Sequence, residues 1–335
     1  MILVTGGTGL LGAHVLFKLT NQKKHVRAIY RTKSSLNAVK KVFSYYSNVP
    51  DVLFNRIEWV EADITNVPDL DAAFNNIVKV YHCAANLSFN SKDYKASRAV
   101  NVIGTANVVN LCLSHSVEKL CHVSSIATLG EDISAPINET TPWNPENNQH
   151  NIYAITKYDA ELEVWRGMQE GLNVIIINPG VILGSGFWNN GTGEIFKKVA
   201  NGFNYITSGI VGVVDVNDVA NTMISLTDSN IVNEQFIVIS ENITYRKLIE
   251  TIAKFLGKSS SLKELKRWQL LVYLQMDKLQ SVLTSRKRSL YKANINSAFK
   301  KLNYDTSKLK NTLDIDFISA TNSISSVVAN YKKEH

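Results

Sequence analysis

Residues Ile2 to Gly12 constrain this chain more than any other stretch. Ile2-Leu3-Val4-Thr5 reads as a short buried strand, Gly6-Gly7-Thr8-Gly9-Leu10-Leu11-Gly12 follows at once, and a helical pattern opens at Ala13. Gly6 suits a tight bend, Gly9 a close approach of backbone to a diphosphate, and Gly12 a helix packed hard against the strand. A helix beginning there presents unpaired N–H groups to an anion. Three glycines at this spacing are a weak signal alone and a much stronger one directly after the first strand.

Apolar runs then alternate with helical patterns, with strands expected at residues 25–30, 57–61, 78–82, 119–124 and 173–178. Strands separated by helices of ten or more residues imply right-handed crossovers and a doubly wound parallel α/β sheet of the Rossmann kind. Residues 136–151, rich in Pro and Asn, read as a surface loop, and Gly-rich turns cover 184–193. Strand and helix return at 213–226, another strand is expected at 234–240, and from Thr244 onward the pattern is almost wholly helical. At 335 residues the chain exceeds what one core supports. The expected division is a dinucleotide-binding domain at 1–178 with 212–240, and a smaller, mainly helical substrate domain at 179–211 with 241–335.

Composition limits the function. Cys83, Cys112 and Cys121 form no CxxC pair and leave one over, which suits a reducing compartment. No charged leader and no run of about 18 apolar residues is present, so cytoplasm and no membrane span are expected. The net charge of +7 is scattered, without the basic, aromatic-interleaved stripe that tracks a nucleic acid strand. Basic residues gather only late, at Lys263, Lys266, Arg267, Arg286, Lys287, Arg288 and Lys292. Residues 262–290 there suit a solvated helical face, or, as the lesser alternative, a membrane surface.

At the tip of the second strand, where a dinucleotide fold preferring NAD carries an acid for the ribose 2′-hydroxyl, this chain has Arg31 and Lys33. Both offer donors to a 2′-phosphate, so NADP(H) is expected to be preferred, with NAD(H) still admissible. Asp63 ends the third strand, where it would accept from an adenine amino group or serve as a turn acid. Three further pieces carry chemistry: Asn101 in a helix under the fourth strand, Ser125 at the end of the fifth, and Tyr153-Ala-Ile-Thr-Lys157 at a helix start. Residues i and i+4 share a helix face, so the Lys157 ammonium is expected to favour the Tyr153 phenolate and bring its pKa towards neutrality. Tyr304 and Lys308 repeat the spacing without a strand-end serine before them and are read as a surface element.

This ordered set resembles the extended short-chain dehydrogenase/reductases of the NAD-dependent epimerase/dehydratase superfamily. The similarity runs through residues 5–12, His82-Cys83-Ala84-Ala85, Asn101 to Thr105, residues 123–130, Tyr153 to Lys157, Asn178-Pro179-Gly180 and residues 214–220. It implies that Ser125, Tyr153 and Lys157 are catalytic, with Asn101 a structural or catalytic companion. It also implies that Thr5, Gly6, Thr8, Gly9, Leu10, Leu11, Gly12, Asp63, Ile64, Ala84, Ala85, Tyr153, Lys157 and Pro179 contact the cofactor. Dehydratases resembling this chain carry an acidic pair after the strand-end hydroxyl, whereas Ser125 is followed by Ile126-Ala127-Thr128. Epimerases hold a diphosphate, commonly with arginine, yet residues 167–245 contain none.

Phe187, Trp188, Phe196, Phe203 and Tyr205 in that region suggest an aromatic wall for an apolar carbonyl compound, core packing being the other explanation. The chain thus looks most like the dihydroflavonol-4-reductase and 3β-hydroxysteroid dehydrogenase branch. The expectation is carbonyl reduction by hydride transfer, with nucleotide-sugar epimerisation as the alternative. A non-catalytic NADP-binding protein, the alternative of another class, would be expected to lose Tyr153 or Lys157. A homodimer is left open. Zinc at His82-Cys83 and Cys121-His122 is disfavoured, because adjacent strand residues face opposite ways.

Overall fold

The computed structural model describes residues 1–335 except 133, 149–150, 259–260, 285–287 and 289. The first strand, β1 (Ile2–Thr5), is buried on both faces and lies inside the sheet, paired on one side with β2 (Val26–Tyr30). Next come β3 (Ile57–Glu61), β4 (Lys79–His82), β5 (Lys119–Val123) and β6 (Val174–Pro179). They are followed by β7 (Val181–Leu183), β8 (Tyr205–Ile206), β9 (Ile210–Asp215) and β10 (Glu234–Val238). The last two are β11 (Glu241–Thr244) and β12 (Lys263–Glu264).

Seven of these form one parallel sheet in the order β10-β6-β5-β4-β1-β2-β3. The order reverses beside β1, with Thr5 opposite His82 in β4. That reversal opens the crevice in which such sheets bind ligands.

Alternating strand residues build two separate layers of core. Val4, Tyr81, Cys121 and Ile175 face the helices Leu10–Asn21 and Val216–Asp228. Leu3, Val80, Leu120 and Ile176 face the helices Gly104–Ser114 and Ile152–Gln169. A third core surrounds the small sheet β11-β9-β7 and joins Leu183, Phe196, Val213 and Ile243 to Ile252, Ile324 and Val328.

The strand expected at the start of 213–226 therefore belongs to the small sheet, and the helix after it returns to the large one. Asp215 joins the two regions. Its Oδ1 accepts from the Asn217 N–H at 2.7 Å as the cap of helix Val216–Asp228, and its Oδ2 accepts from Ser323 Oγ at 2.6 Å. Asp218 Oδ2 adds a contact from the Ile318 N–H at 2.7 Å. These two acids thus hold the final helix, Ala320–Glu334, against the sheet.

The late region is helical at Tyr245–Leu256, Arg267–Thr284, Lys292–Phe299, Ser307–Leu313 and Ala320–Glu334. It also contains β12, which pairs with β8, so the helix expected over 262–290 begins only at Arg267. Arg286 and Lys287 lie outside the described residues. Tyr304 and Lys308 do not share a helix, because Ser307–Leu313 starts between them, and Lys308 donates to Glu234 Oε2 at 2.6 Å.

Candidate active site

At the end of β1 the chain turns through Gly6 with φ +68°, a conformation costly to any residue with a side chain. A Cβ there would lie 2.4 Å from the Ala84 nitrogen, and one on Gly12 would lie 2.2 Å from the Gly6 carbonyl. Packing within the protein therefore demands two of the three glycines. Gly9 is different, since a Cβ would find nothing closer than Gly6 O at 3.4 Å. It precedes helix Leu10–Asn21, whose N-terminus has no side-chain cap. An open helix end with no side chain in front of it fits a bound phosphate, and the surrounding turn fits a dinucleotide.

The other residues expected around a dinucleotide border the same crevice or the strand ends beside it. Thr5 Oγ1 is buried against His82 Nδ1 at 2.6 Å, and Leu11 is in the core. Arg31 is 69% exposed in its side chain and stands 4.0 Å from Asp63 Oδ2. Asp63 Oδ1 accepts from both the N–H and the hydroxyl of Thr65, and Ile64 is buried beside it. Lys33 is exposed on a single turn, Lys33–Ser35. Ala84 is half-buried, Ala85 exposed, and Pro179 buried at the end of β6.

Ser125 caps the turn after β5, its Oγ accepting from the Ala127 N–H at 3.1 Å. Asn151 caps helix Ile152–Gln169 through the Ala154 N–H, which sets Tyr153 in the first turn. Tyr153 is half-buried, with the Ser125 side chain close enough to act on its phenol. Burial raises its phenol above the ordinary value, and the Ser125 hydroxyl pulls the other way. The expected lowering by Lys157 does not occur in the protein itself. The buried Lys157 instead points its Nζ at strand β5, donating to Val123 O at 2.7 Å with His122 Nε2 at 3.5 Å. Burial brings its own pKa down to about 8, opposed by Glu161 and Cys83.

Asn101 lies in a π-helical turn, Ala99–Ile103, and not in a regular helix. Such turns commonly accompany functional sites. Its amide is fully engaged, with Oδ1 accepting from the Asn86 N–H at 2.7 Å and Nδ2 donating to Asn86 O and Thr156 Oγ1, both at 3.0 Å. It fixes the loop after β4 to the Tyr153 helix.

Glu161, which the sequence reading passed over, sits buried one turn beyond Lys157. Its Oε2 accepts from Ser124 at 2.5 Å, Thr128 at 2.8 Å and Asn178 at 3.1 Å, and its Oε1 from Gln235 at 2.9 Å. The i+4 spacing from Lys157 was the available signal. His82 has both ring nitrogens engaged, by Thr5 and by Thr105 Oγ1 at 2.9 Å, leaving none for a metal.

The five aromatics of residues 187–205 do not form one wall. Trp188 and Phe196 are core side chains packed with Tyr331, Phe187 is partly buried against the core on one face of the large sheet, and Phe203 and Tyr205 are exposed. Among the described residues the aromatic ring against Tyr153 is that of Phe89, with ring centroids 6.0 Å apart.

A parallel sheet reversing at β1, a glycine turn open at a helix end, and a strand-end serine beside a tyrosine define an NAD(P)-dependent enzyme of the extended short-chain dehydrogenase/reductase type. Residues 4–236 match the family model described as male sterility protein, an NAD-binding family, and the chain belongs to it. It is 26% identical over 319 residues to a Synechocystis sp. protein named after dihydroflavonol 4-reductase, covering 91% of this chain and 87% of that one. It is 29% identical over 253 residues to the 3-beta-hydroxysteroid dehydrogenase of Mycolicibacterium neoaurum, covering 72% and 61%. The crystal structure of Thermotoga maritima UDP-glucose 4-epimerase with UDP-glucose superposes with a TM-score of 0.77 at 18% identity, covering 99% of each chain.

The buried ammonium gives a test of the geometry. In the unfolded chain Lys157 keeps its proton up to its ordinary value of 10.5, whereas the folded chain releases it from about 8. Between these values the unfolded state binds more protons, so stability rises with pH. Urea melts between about pH 7.5 and 10 should show the parent gaining stability relative to Lys157→Met as pH rises. A flat or falling difference would mean that the ammonium is not buried.

Proposed function

We propose that the protein is an NADP(H)-dependent reductase of a ketone or aldehyde carbonyl on a small, largely apolar substrate. The observation that carries this is the gathering of Ser125, Tyr153 and Lys157 at the strand ends, with Lys157 buried and its Nζ donating to Val123 O at 2.7 Å. When bound, the reduced cofactor supplies the hydride. The Ser125 and Tyr153 hydroxyls would share the substrate's carbonyl oxygen between them. A phenol raised by burial stays protonated at neutral pH and is a proton donor to that oxygen as it gains charge. Lys157, anchored to Val123 O, holds the helix bearing Tyr153 and would offer its remaining protons to a ribose hydroxyl of the bound cofactor.

Phe89 against Tyr153 and the absence of arginine from 167 to 245 support an apolar substrate. Epimerisation of a nucleotide sugar is the competing reading, and this chain offers that diphosphate no arginine in the region. We further infer the division 1–178 with 212–240 against 179–211 with 241–335, the substrate lying between the two parts.

Tyr153→Phe should bind NADPH nearly as the parent does while turnover falls by about two to four orders of magnitude. Turnover retained in that variant, measured as NADPH oxidation across a panel of ketones and aldehydes, rules out the mechanism.

Arg31 and Lys33 support the choice of NADP(H). Both are exposed, so each contact with a 2′-phosphate is screened and worth about 1 kcal/mol, which together favours NADPH by roughly tenfold to a hundredfold. Arg31→Asp should lose more of that preference than Arg31→Ala, and salt should weaken the parent's. Equal dissociation constants for NADPH and NADH in the parent would remove Arg31 from the cofactor site.

A further inference from the structure

The helix Arg267–Thr284 turns a stripe of large apolar residues away from the protein. Leu274 and Asp277 face inward and are buried, and the Leu290 N–H donates to Asp277 Oδ2 at 3.3 Å. The outer side presents Trp268, Val272, Met276, Leu279 and Leu283, from 52% exposed at Val272 to 74% at Leu283. At about 3.6 residues per turn these five fall within one sector of roughly 80°. Isolated exposed apolar side chains are ordinary, but a contiguous stripe along one helix marks an interface.

Charge selects the occupant. Residues 262–292 contain eight lysines and arginines against two acids, Glu264 and Asp277. Asp277 is buried beneath the helix, and Glu264 faces Arg246 at 3.4 Å. Exposed cations remain at both ends and in the middle, at Lys263, Lys266, Lys278 and Lys292. A second copy on this face would bring two sets of like charges together, whereas anionic headgroups match them. Among the described residues no helix is long and apolar enough to cross a membrane.

We propose that this helix seats the protein on an anionic bilayer surface, its five apolar side chains entering the acyl boundary and its flanking cations meeting headgroup phosphates. The seat begins near the tyrosine helix: Arg267 donates to Asn296 Oδ1 at 2.8 Å, and Asn296 lines a small cavity together with Asn151, the cap of that helix. A protein held this way meets apolar compounds at the membrane surface, and the docking stands whether or not the carbonyl reading does.

The test uses the full chain with vesicles of phosphatidylcholine alone and of phosphatidylcholine with phosphatidylglycerol. Co-sedimentation is expected with the anionic vesicles, weakened at high salt. The double variant Leu279→Glu with Leu283→Glu should lower vesicle affinity at least about tenfold while its thermal midpoint and NADPH binding stay those of the parent. Failure to pellet with anionic vesicles, or a variant that pellets like the parent, overturns the proposal. So does a concentration-dependent dimer in light scattering that the variant abolishes, since the face would then belong to a second copy.

Discussion

Lys157 donates to the Val123 carbonyl at 2.7 Å from within the protein, and this contact ties the first turns of helix Ile152–Gln169 to the end of β5. An ammonium taken out of water is costly unless its protons are satisfied. Glu161, one turn further on, supplies the compensating charge while its own oxygens are held by Ser124, Thr128, Asn178 and Gln235. Because these partners come from β5, β6 and β10 or the turns at their ends, the tyrosine helix cannot shift without breaking contacts with three strands. The placement of Tyr153 beside the strand end that carries Ser125 follows from that lock, and the proposed chemistry depends on it.

The glycine turn solves a different problem. Gly6 and Gly12 are required by the protein's own packing, so their identity would be the same with or without a ligand. Gly9 has no such internal reason, and its open position ahead of helix Leu10–Asn21 fits the approach of an anion.

Much of this was legible in the sequence because period and punctuation carry it. Alternating strands and helices gave the parallel sheet, and the glycine spacing placed the crevice at β1. What local pattern could not reveal is where a long side chain ends. The i+4 rule put Lys157 beside Tyr153, yet four methylenes carried the ammonium to Val123, so burial and Ser125 move the phenol. Likewise, five aromatics close in sequence separated into a core pair, an exposed pair and Phe187 packed against a different core, because the small sheet draws Trp188 and Phe196 inward. Asn101 sits in a π turn that no helical period announces. The basic helix was visible, but only the packing of Leu274 and Asp277 shows which face is turned outward.

The most direct measurement is the fate of the transferred hydrogen. NADPH carrying deuterium at both positions of the nicotinamide C4, incubated with the enzyme and an apolar ketone, should yield an alcohol bearing one deuterium on the former carbonyl carbon, with one NADPH consumed per product. Interconversion of a nucleotide sugar without net cofactor consumption, and no labelled alcohol from any ketone or aldehyde, would contradict the account.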